Sequence, residues 1–167
     1  MTHSAGVHDS SPLRGPGVPF PPPFLYVAGF LIGLAFERWV VRLQLPSPDA
    51  RPLFVIVGWL AAALGLTFMG WGLLTFFLAR TSIIPVRPAS RLVVSGPYRF
   101  SRNPMYVGLA ALHLGLALLL DAAWPILLLP LVLVSVYLLV IRREERYLAS
   151  AFVDEYRTYC RRVRRWL

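Results

Sequence analysis

The sequence predicts an all-α fold: a polytopic membrane helix bundle with about four transmembrane helices and a C-terminal interfacial helix. Three observations predict it. Hydrophobic residues make up 57% of the 167 residues and charged residues only 15%, the mean hydropathy is +0.61, and apolar runs of bilayer length alternate with short polar segments. We therefore expect a single integral membrane domain.

Composition also excludes several kinds of site. The net charge is +9 and all 17 basic residues are arginine, but these arginines lie beside apolar runs, where they suit phospholipid headgroups, and no nucleic-acid-binding motif accompanies them. Cys160 is the sole cysteine and the three histidines are scattered. We expect no intramolecular disulfide, no metal centre and no nucleic-acid partner.

The first part of the chain, residues 1–23, is rich in proline, glycine and serine, and we expect a disordered tail that is not a signal peptide. The membrane domain is predicted over residues 24–167. Its first span covers about residues 24–43, because roughly 20 residues at 1.5 Å each match a hydrocarbon core of about 30 Å. Glu37 and Arg38 lie near the end of this span, where we expect their charges to reach the interface.

The second predicted span, residues 53–79, contains no ionisable residue and is longer than a bilayer requires, so we expect it to tilt or to project. Its glycines and alanines are small positions at which helices can approach closely in lipid. The run Gly70-Trp71-Gly72 has two interpretations, close packing or space for a ligand beside the backbone.

A polar connector, residues 80–102, leads to the third and fourth spans, which the turn at Asp121 joins in a hairpin. These spans are predicted over about residues 104–120 and 124–141. His113 lies in mid-span, and either packing inside the bundle or a functional polar site would explain it.

The segment after the fourth span, residues 142–167, continues the helical pattern with one apolar stripe and with arginines around the other face. The stripe consists of Leu148, Phe152, Tyr156, Tyr159 and Val163. We expect this segment to lie along the interface. Four spans place fourteen arginines on one side and three on the other, so we expect an integral membrane protein whose two termini and connector face the cytoplasm.

The chain is organised around residues 95–108, the polar run SGPYRFSRNPMYVG between two apolar runs. Asn103 is a favoured N-cap and Pro104 suits the first helical position, so a helix is predicted to begin here. Its free N–H groups would point back at the loop, where Arg99 and Arg102 add positive charge. The loop is either a small anion site or a plain helix cap beside arginines that contact headgroups.

A carboxylate pair, Glu144 and Glu145, follows the fourth span, and Arg142 lies three residues before Glu145, near it on a helix surface. A solvated charge run is one interpretation. The alternative interpretation is a ligand site, because the cationic helix start, the carboxylates and the rings of Tyr98 and Tyr106 are predicted to lie at one depth in the membrane. A ligand that carries a positive charge, a negative charge and an aromatic ring requires these three kinds of group together.

The order and spacing of these blocks resemble a known group of enzymes. The run LVVSGPYRFSRNPMYVG, an apolar hairpin, the run RREERYL and an F-x-x-E-Y-x-x-Y tail are similar to the isoprenylcysteine carboxyl methyltransferase and phospholipid methyltransferase superfamily of membrane enzymes. The resemblance covers about residues 66–167. It implies a methyltransferase that uses S-adenosylmethionine and a lipophilic acceptor, such as a prenylcysteine-like carboxylate, a phospholipid amine or a small thiol.

The resemblance also implies roles for single residues. The implied cofactor-binding residues are Leu92, Val93, Tyr98, Arg102, Asn103, Pro104, Tyr106 and Glu144. The implied catalytic residues are Arg142, which would orient an anionic acceptor, and Glu145, which completes the acidic pair; a glutamate would take a proton from an amine acceptor. Asn103 stands where isoprenylcysteine enzymes carry His, and Val153 and Arg164 also depart from the family pattern, so the acceptor is not specified.

Two other functions fit the same residues. A nicotinamide-dependent sterol-type membrane reductase has similar terminal helices, and binding of NADPH rather than S-adenosylhomocysteine would identify it. A non-catalytic membrane scaffold would keep the fold without the chemistry. The expected partners are a lipophilic small-molecule substrate and membrane lipids, and the oligomeric state is left open.

Overall fold

The structure is a computed structural model that describes residues 17–18, 21–43, 48–80 and 91–167. The regular elements of these residues are helical throughout, as predicted. In chain order the helices are α1 (Pro23–Trp39), α2 (Arg51–Leu78), α3 (Pro104–Leu119), α4 (Ala123–Val136), α5 (Arg142–Ala151) and α6 (Val153–Arg162). Single 3-10 turns occupy Pro48–Ala50 and Gly96–Arg99, and a π-helical turn, Tyr137–Ile141, joins α4 to α5.

Within the described parts of the chain, two helices are long and apolar enough to cross a membrane. They are α2, with 28 residues, and the continuous helix Ala123–Ala151, with 29 residues. The other two predicted spans, α1 with 17 residues and α3 with 16, are shorter than the roughly 20 residues that a bilayer core requires. The first span was predicted to reach residue 43, but α1 ends at Trp39, and the N–H groups of Val40 and Val41 both bond to the carbonyl of Phe36.

The segment after the fourth span is not one continuous interfacial helix. α5 prolongs the same helix as α4, and the chain then breaks at Phe152, whose backbone angles of φ −131° and ψ 50° are not helical. α6 begins after this break and buries Tyr156 and Tyr159. Residue spacing alone did not predict the break, because the apolar period continues through it.

α2 packs against α3 through glycines, as the small residues of the second span predicted. A Cβ atom on Gly65 would lie 2.5 Å from the carbonyl oxygen of Gly108, and one on Gly115 would lie 2.6 Å from that of Gly58. The two backbones therefore touch. At Gly72 the space is filled by Met105, whose Cγ would lie 2.7 Å from such a Cβ, so this glycine serves packing rather than a ligand.

α1 and α3 are tied to the start of α4 by polar groups. The carboxylate of Glu37 accepts hydrogen bonds from the N–H groups of Ala123 and Trp124, at 3.1 and 3.3 Å. Glu37 therefore caps the start of α4, and its expected position at the interface stays a prediction. His113 is buried, with Nε2 3.0 Å from the carbonyl oxygen of Pro125, in agreement with a packing role.

The short segment before α1 contacts the bundle. Val18 is buried in the hydrophobic core with Tyr26 and Tyr106, and the guanidinium of Arg143 donates a hydrogen bond to the carbonyl of Gly17. The expectation of a disordered tail does not hold at these two residues. Residues 1–16, 19–20, 44–47 and 81–90, which include most of the predicted tail and part of the predicted connector, lie outside the described residues.

Candidate functional site

The loop before α3 turns through Gly96, which has φ +59°. A Cβ atom there would lie 2.5 Å from the hydroxyl oxygen of Thr75, so the conformation and the space both require glycine. The turn buries Tyr98, which is 7% exposed and packs edge-on against the ring of Phe76. The loop is thereby fixed on the end of α2.

Asn103 occupies the N-cap position of α3, as predicted, but its side chain does not cap the helix. The amide Nδ2 donates instead to the carbonyl of Arg165, at 2.9 Å. The hydroxyl of Ser101 donates to the same carbonyl, and the N–H of Arg102 donates to the carbonyl of Arg164. Residues 163–167, which we name the strap, therefore lie against residues 95–108, which we name the motif loop.

The start of α3 does not offer the row of free donors that the sequence predicted. Pro104 is the first helical residue, and the N–H groups of Tyr106 and Val107 both bond to the carbonyl of Asn103. Nor does Arg102 face an open anion site. Its Nη1 lies 3.1 Å from a carboxylate oxygen of Glu145 and also donates to Cys160 Sγ, at 2.9 Å.

Glu145 is held by two arginines. Arg165 donates from Nε and Nη2 to the two carboxylate oxygens, at 2.9 and 2.8 Å, while Arg102 approaches Oε1. The guanidinium of Arg165 also lies 5.0 Å above the ring of Tyr137. Its hydrogen bonds to Glu145 raise the pKa of Arg165. Because both carboxylate oxygens are occupied, the implied catalytic role for Glu145 has no support in this geometry.

Glu144 has different surroundings from its neighbour. Its Oε1 accepts a hydrogen bond of 2.9 Å from the hydroxyl of Tyr106, and among the described residues it forms no ion pair. Burial raises the pKa of Tyr98, and the nearby carboxylate of Glu144 raises it further. The motif loop and the carboxylate pair are therefore in contact, as the sequence predicted.

Arg142 does not form the predicted pair with Glu145. It is exposed on α5, and its carbonyl accepts a hydrogen bond from Arg146. Spacing along the helix predicted a contact between Arg142 and Glu145. The carboxylate of Glu145 is paired instead with Arg102 and Arg165, which come from other elements.

A cavity of about 560 Å³ lies between the connector and α6. Of the implied cofactor contacts, Leu92 lines it, whereas Val93 beside it is buried in the protein. The cavity combines apolar walls with charged groups, and its lining residues are Leu92, Val94, Arg99, Glu155, Thr158, Tyr159, Arg162 and Val163. The hydroxyl of Tyr159 donates to the carbonyl of Tyr98, at 2.7 Å, which joins this cavity to the motif loop.

Sequence reasoning missed several residues of the site. Arg165 pairs with Glu145, the ring of Tyr137 lies under the Arg165 guanidinium, and the hydroxyl of Ser101 donates to the carbonyl of Arg165. The one available signal was the run RRVRRW over residues 161–166, where arginines next to an aromatic residue suggest more than a solvated helix end.

Comparison with known proteins gives a family and a distant relative. A family model described as phospholipid methyltransferase matches residues 53–155. The cobalt-zinc-cadmium resistance protein CzcN of Cupriavidus metallidurans is 35% identical over 112 residues, which are 67% of this chain and 48% of that protein. The chain thus spans about half the length of this curated relative. No solved structure matches the chain.

Proposed function

Because the chain belongs to the phospholipid methyltransferase family, we propose that it is an integral membrane methyltransferase that uses S-adenosylmethionine and a lipophilic acceptor. One observation carries the proposal. Glu144, a partly buried carboxylate without an ion pair among the described residues, is held by Tyr106 beside the motif loop. Burial of a carboxylate without an ion pair costs folding energy, and such groups cluster at functional sites, where a cationic or hydroxyl-bearing ligand supplies the missing partner.

The residues present fit that cofactor. Its amino group and its ribose hydroxyls are donors, and Glu144 supplies an acceptor for them. Adenine requires aromatic or apolar walls, which Tyr98, Tyr106 and Leu92 supply. The neighbouring cavity of about 560 Å³, which Leu92 lines and Glu144, Tyr98 and Tyr106 do not, falls in the range of roughly 300–1,000 Å³ that is usual for small-molecule sites.

S-adenosylmethionine, when bound, supplies an electrophilic methyl group on a sulfonium. The protein's own part is to position the two reactants and to exclude water. Glu144 binds the cationic partner and, for an amine acceptor, takes up the proton that the nitrogen loses. Arg142, exposed on α5, orients an anionic acceptor that arrives from the lipid.

We further propose that α1 and α3 complete a four-span bundle in a bacterial inner membrane, with both termini and the motif loop cytoplasmic. The distribution of arginines supports this orientation, and the cap that Glu37 places on α4 joins α1 to the opposite end of the bundle. Membrane lipids are the expected surroundings, and no nucleic-acid partner is proposed.

The test is a methyl-transfer assay on the purified full chain in lipid nanodiscs. We would supply methyl-labelled S-adenosylmethionine with a panel of phospholipids, prenyl thiols and prenylcysteine, and count the label in the organic extract. The expected result is label in one extractable class. Failure of the protein to transfer label to any acceptor, together with calorimetric binding of NADPH but not of S-adenosylhomocysteine, would overturn the proposal in favour of a reductase.

Two carboxylate variants make the assay specific for the site. Glu144→Gln keeps the size of the side chain and removes the charge, so we expect it to weaken S-adenosylhomocysteine binding roughly 10- to 100-fold. Asp154→Asn is the matched control, because Asp154 is exposed at the start of α6. Equal binding by both variants would remove Glu144 from the site.

A further inference from the structure

The strap is bound to the motif loop through its backbone. The carbonyl of Arg165 accepts hydrogen bonds from Asn103 Nδ2, at 2.9 Å, and from the Ser101 hydroxyl, at 3.3 Å. The carbonyl of Arg164 accepts one from the N–H of Arg102, at 3.0 Å. Three successive residues of the motif loop therefore depend on the strap for a partner.

The side chains of the strap add two further anchors. Arg165 forms a bidentate pair with Glu145 and lies over the ring of Tyr137. Trp166 packs against the buried cluster that contains Tyr106, the residue whose hydroxyl holds Glu144. Arg165 and Trp166 thus join the strap to Glu145 and to the buried cluster beside Glu144.

We infer that Arg165 is a positioning residue for the proposed methyl transfer, because its carbonyl holds Asn103 and its guanidinium, together with that of Arg102, neutralises Glu145 so that Glu144 alone presents a free carboxylate. The inference rests on the proposed function. Its physical basis is that two adjacent unpaired carboxylates would repel each other. A bidentate guanidinium fixes both the charge and the orientation of its partner, which an ammonium does not.

The inference predicts a graded series of variants. Arg165→Met removes the two hydrogen bonds that Arg165 donates to Glu145 and leaves Arg102 as its arginine partner, so we expect binding of S-adenosylhomocysteine to weaken about tenfold and the KM for S-adenosylmethionine to rise by a similar factor. Arg165→Lys keeps the charge without the planar fork, so its defect should be smaller. Arg161→Met is the matched control, since Arg161 is exposed on α6, and it should bind like the wild type.

A second readout reports on the strap without any cofactor. Cys160 is the sole cysteine of the chain and is held by Arg102 close to where the strap begins. Loosening of the strap in Arg165→Met should speed maleimide labelling of Cys160 relative to Arg161→Met. Should Arg165→Met not fold, Glu145→Gln weakens the same pair from its other side and should change labelling and binding in the same direction.

The outcomes separate this inference from the proposed function. Faster labelling and a lower unfolding temperature with unchanged binding and KM would show that the strap is only a structural clamp, which overturns the inference. Absence of S-adenosylhomocysteine binding in the wild type would overturn the proposed function, and the inference with it. Normal wild-type binding with weakened binding in Arg165→Met, but not in Arg161→Met, is the result we expect.

Discussion

Glu144 and Glu145 are adjacent in the chain and have opposite surroundings. Glu145 is paired with two arginines, whereas Glu144 accepts a hydrogen bond from the hydroxyl of Tyr106. The sequence predicted that this carboxylate pair would meet the motif loop, because both belong to helix ends on one side of the bundle. It could not predict which arginine serves Glu145, because spacing along a helix describes local neighbours and Arg165 comes from the strap.

The first residue-scale prediction concerns the hydroxyl of Tyr106. Tyr106→Phe removes the donor to Glu144, so we expect a loss of about 1 to 3 kcal/mol in the free energy of unfolding and weaker binding of S-adenosylhomocysteine. Thermal unfolding in detergent and calorimetry measure the two effects. Tyr137→Phe is the control for stability, since it keeps the ring beneath Arg165. Unchanged stability and binding in Tyr106→Phe would contradict the role given to this hydrogen bond.

A second residue-scale prediction concerns the turn at Gly96. Alanine would have to adopt φ +59°, which costs about 1 to 2 kcal/mol, and its Cβ would clash with Thr75. We therefore expect Gly96→Ala to lower the unfolding temperature and to weaken cofactor binding together, since Tyr98 follows two residues later. An unaltered melting curve would show that the loop relaxes without cost.

At the scale of elements, proline and apolar length predicted most helix bounds. α3 begins at Pro104 as expected, and α2 and α4 start within two residues of their predicted positions. The π-helical turn Tyr137–Ile141 and the break at Phe152 were not predicted, because neither changes the apolar period of the sequence. The π turn lies directly before the carboxylate pair, and such turns recur at functional sites.

The element-scale prediction tests the contact between α2 and α3. Gly65→Val places a side chain against the backbone of α3, so we expect a loss of about 1 to 3 kcal/mol. Gly70→Val is a matched control on the same helix, because nothing lies within 4 Å of its Cβ position. Thermal unfolding compares the two variants in one detergent. Equal destabilisation of both would show that the contact does not stabilise the bundle.

At the scale of the whole molecule, the order of the sequence blocks predicted the family, and the family model confirms it. Two contacts between segments far apart in the sequence were not predictable. The strap returns to the motif loop, and Val18 enters the core beside Tyr106. Both contacts join segments that are distant in sequence and carry no periodic signal.

The proposed orientation gives a whole-molecule prediction. With the C-terminus in the cytoplasm, a C-terminal fluorescent protein fusion should be bright in bacterial cells and the matching alkaline phosphatase fusion should be inactive. Membrane fractionation of the same cells checks that both fusions are inserted. A dark fluorescent fusion with an active phosphatase would reverse the orientation and place the site on the other side of the membrane.

The most direct measurement is photochemical crosslinking of labelled S-adenosylmethionine to the full chain, followed by peptide mapping. The central claim is that the motif loop and the carboxylate pair form one cofactor site, joined through Tyr106 and Glu144. We predict adducts within residues 92–106 and around residue 144, which excess S-adenosylhomocysteine suppresses. Adducts confined to α1 or α2, or labelling that S-adenosylhomocysteine does not suppress, would contradict the account.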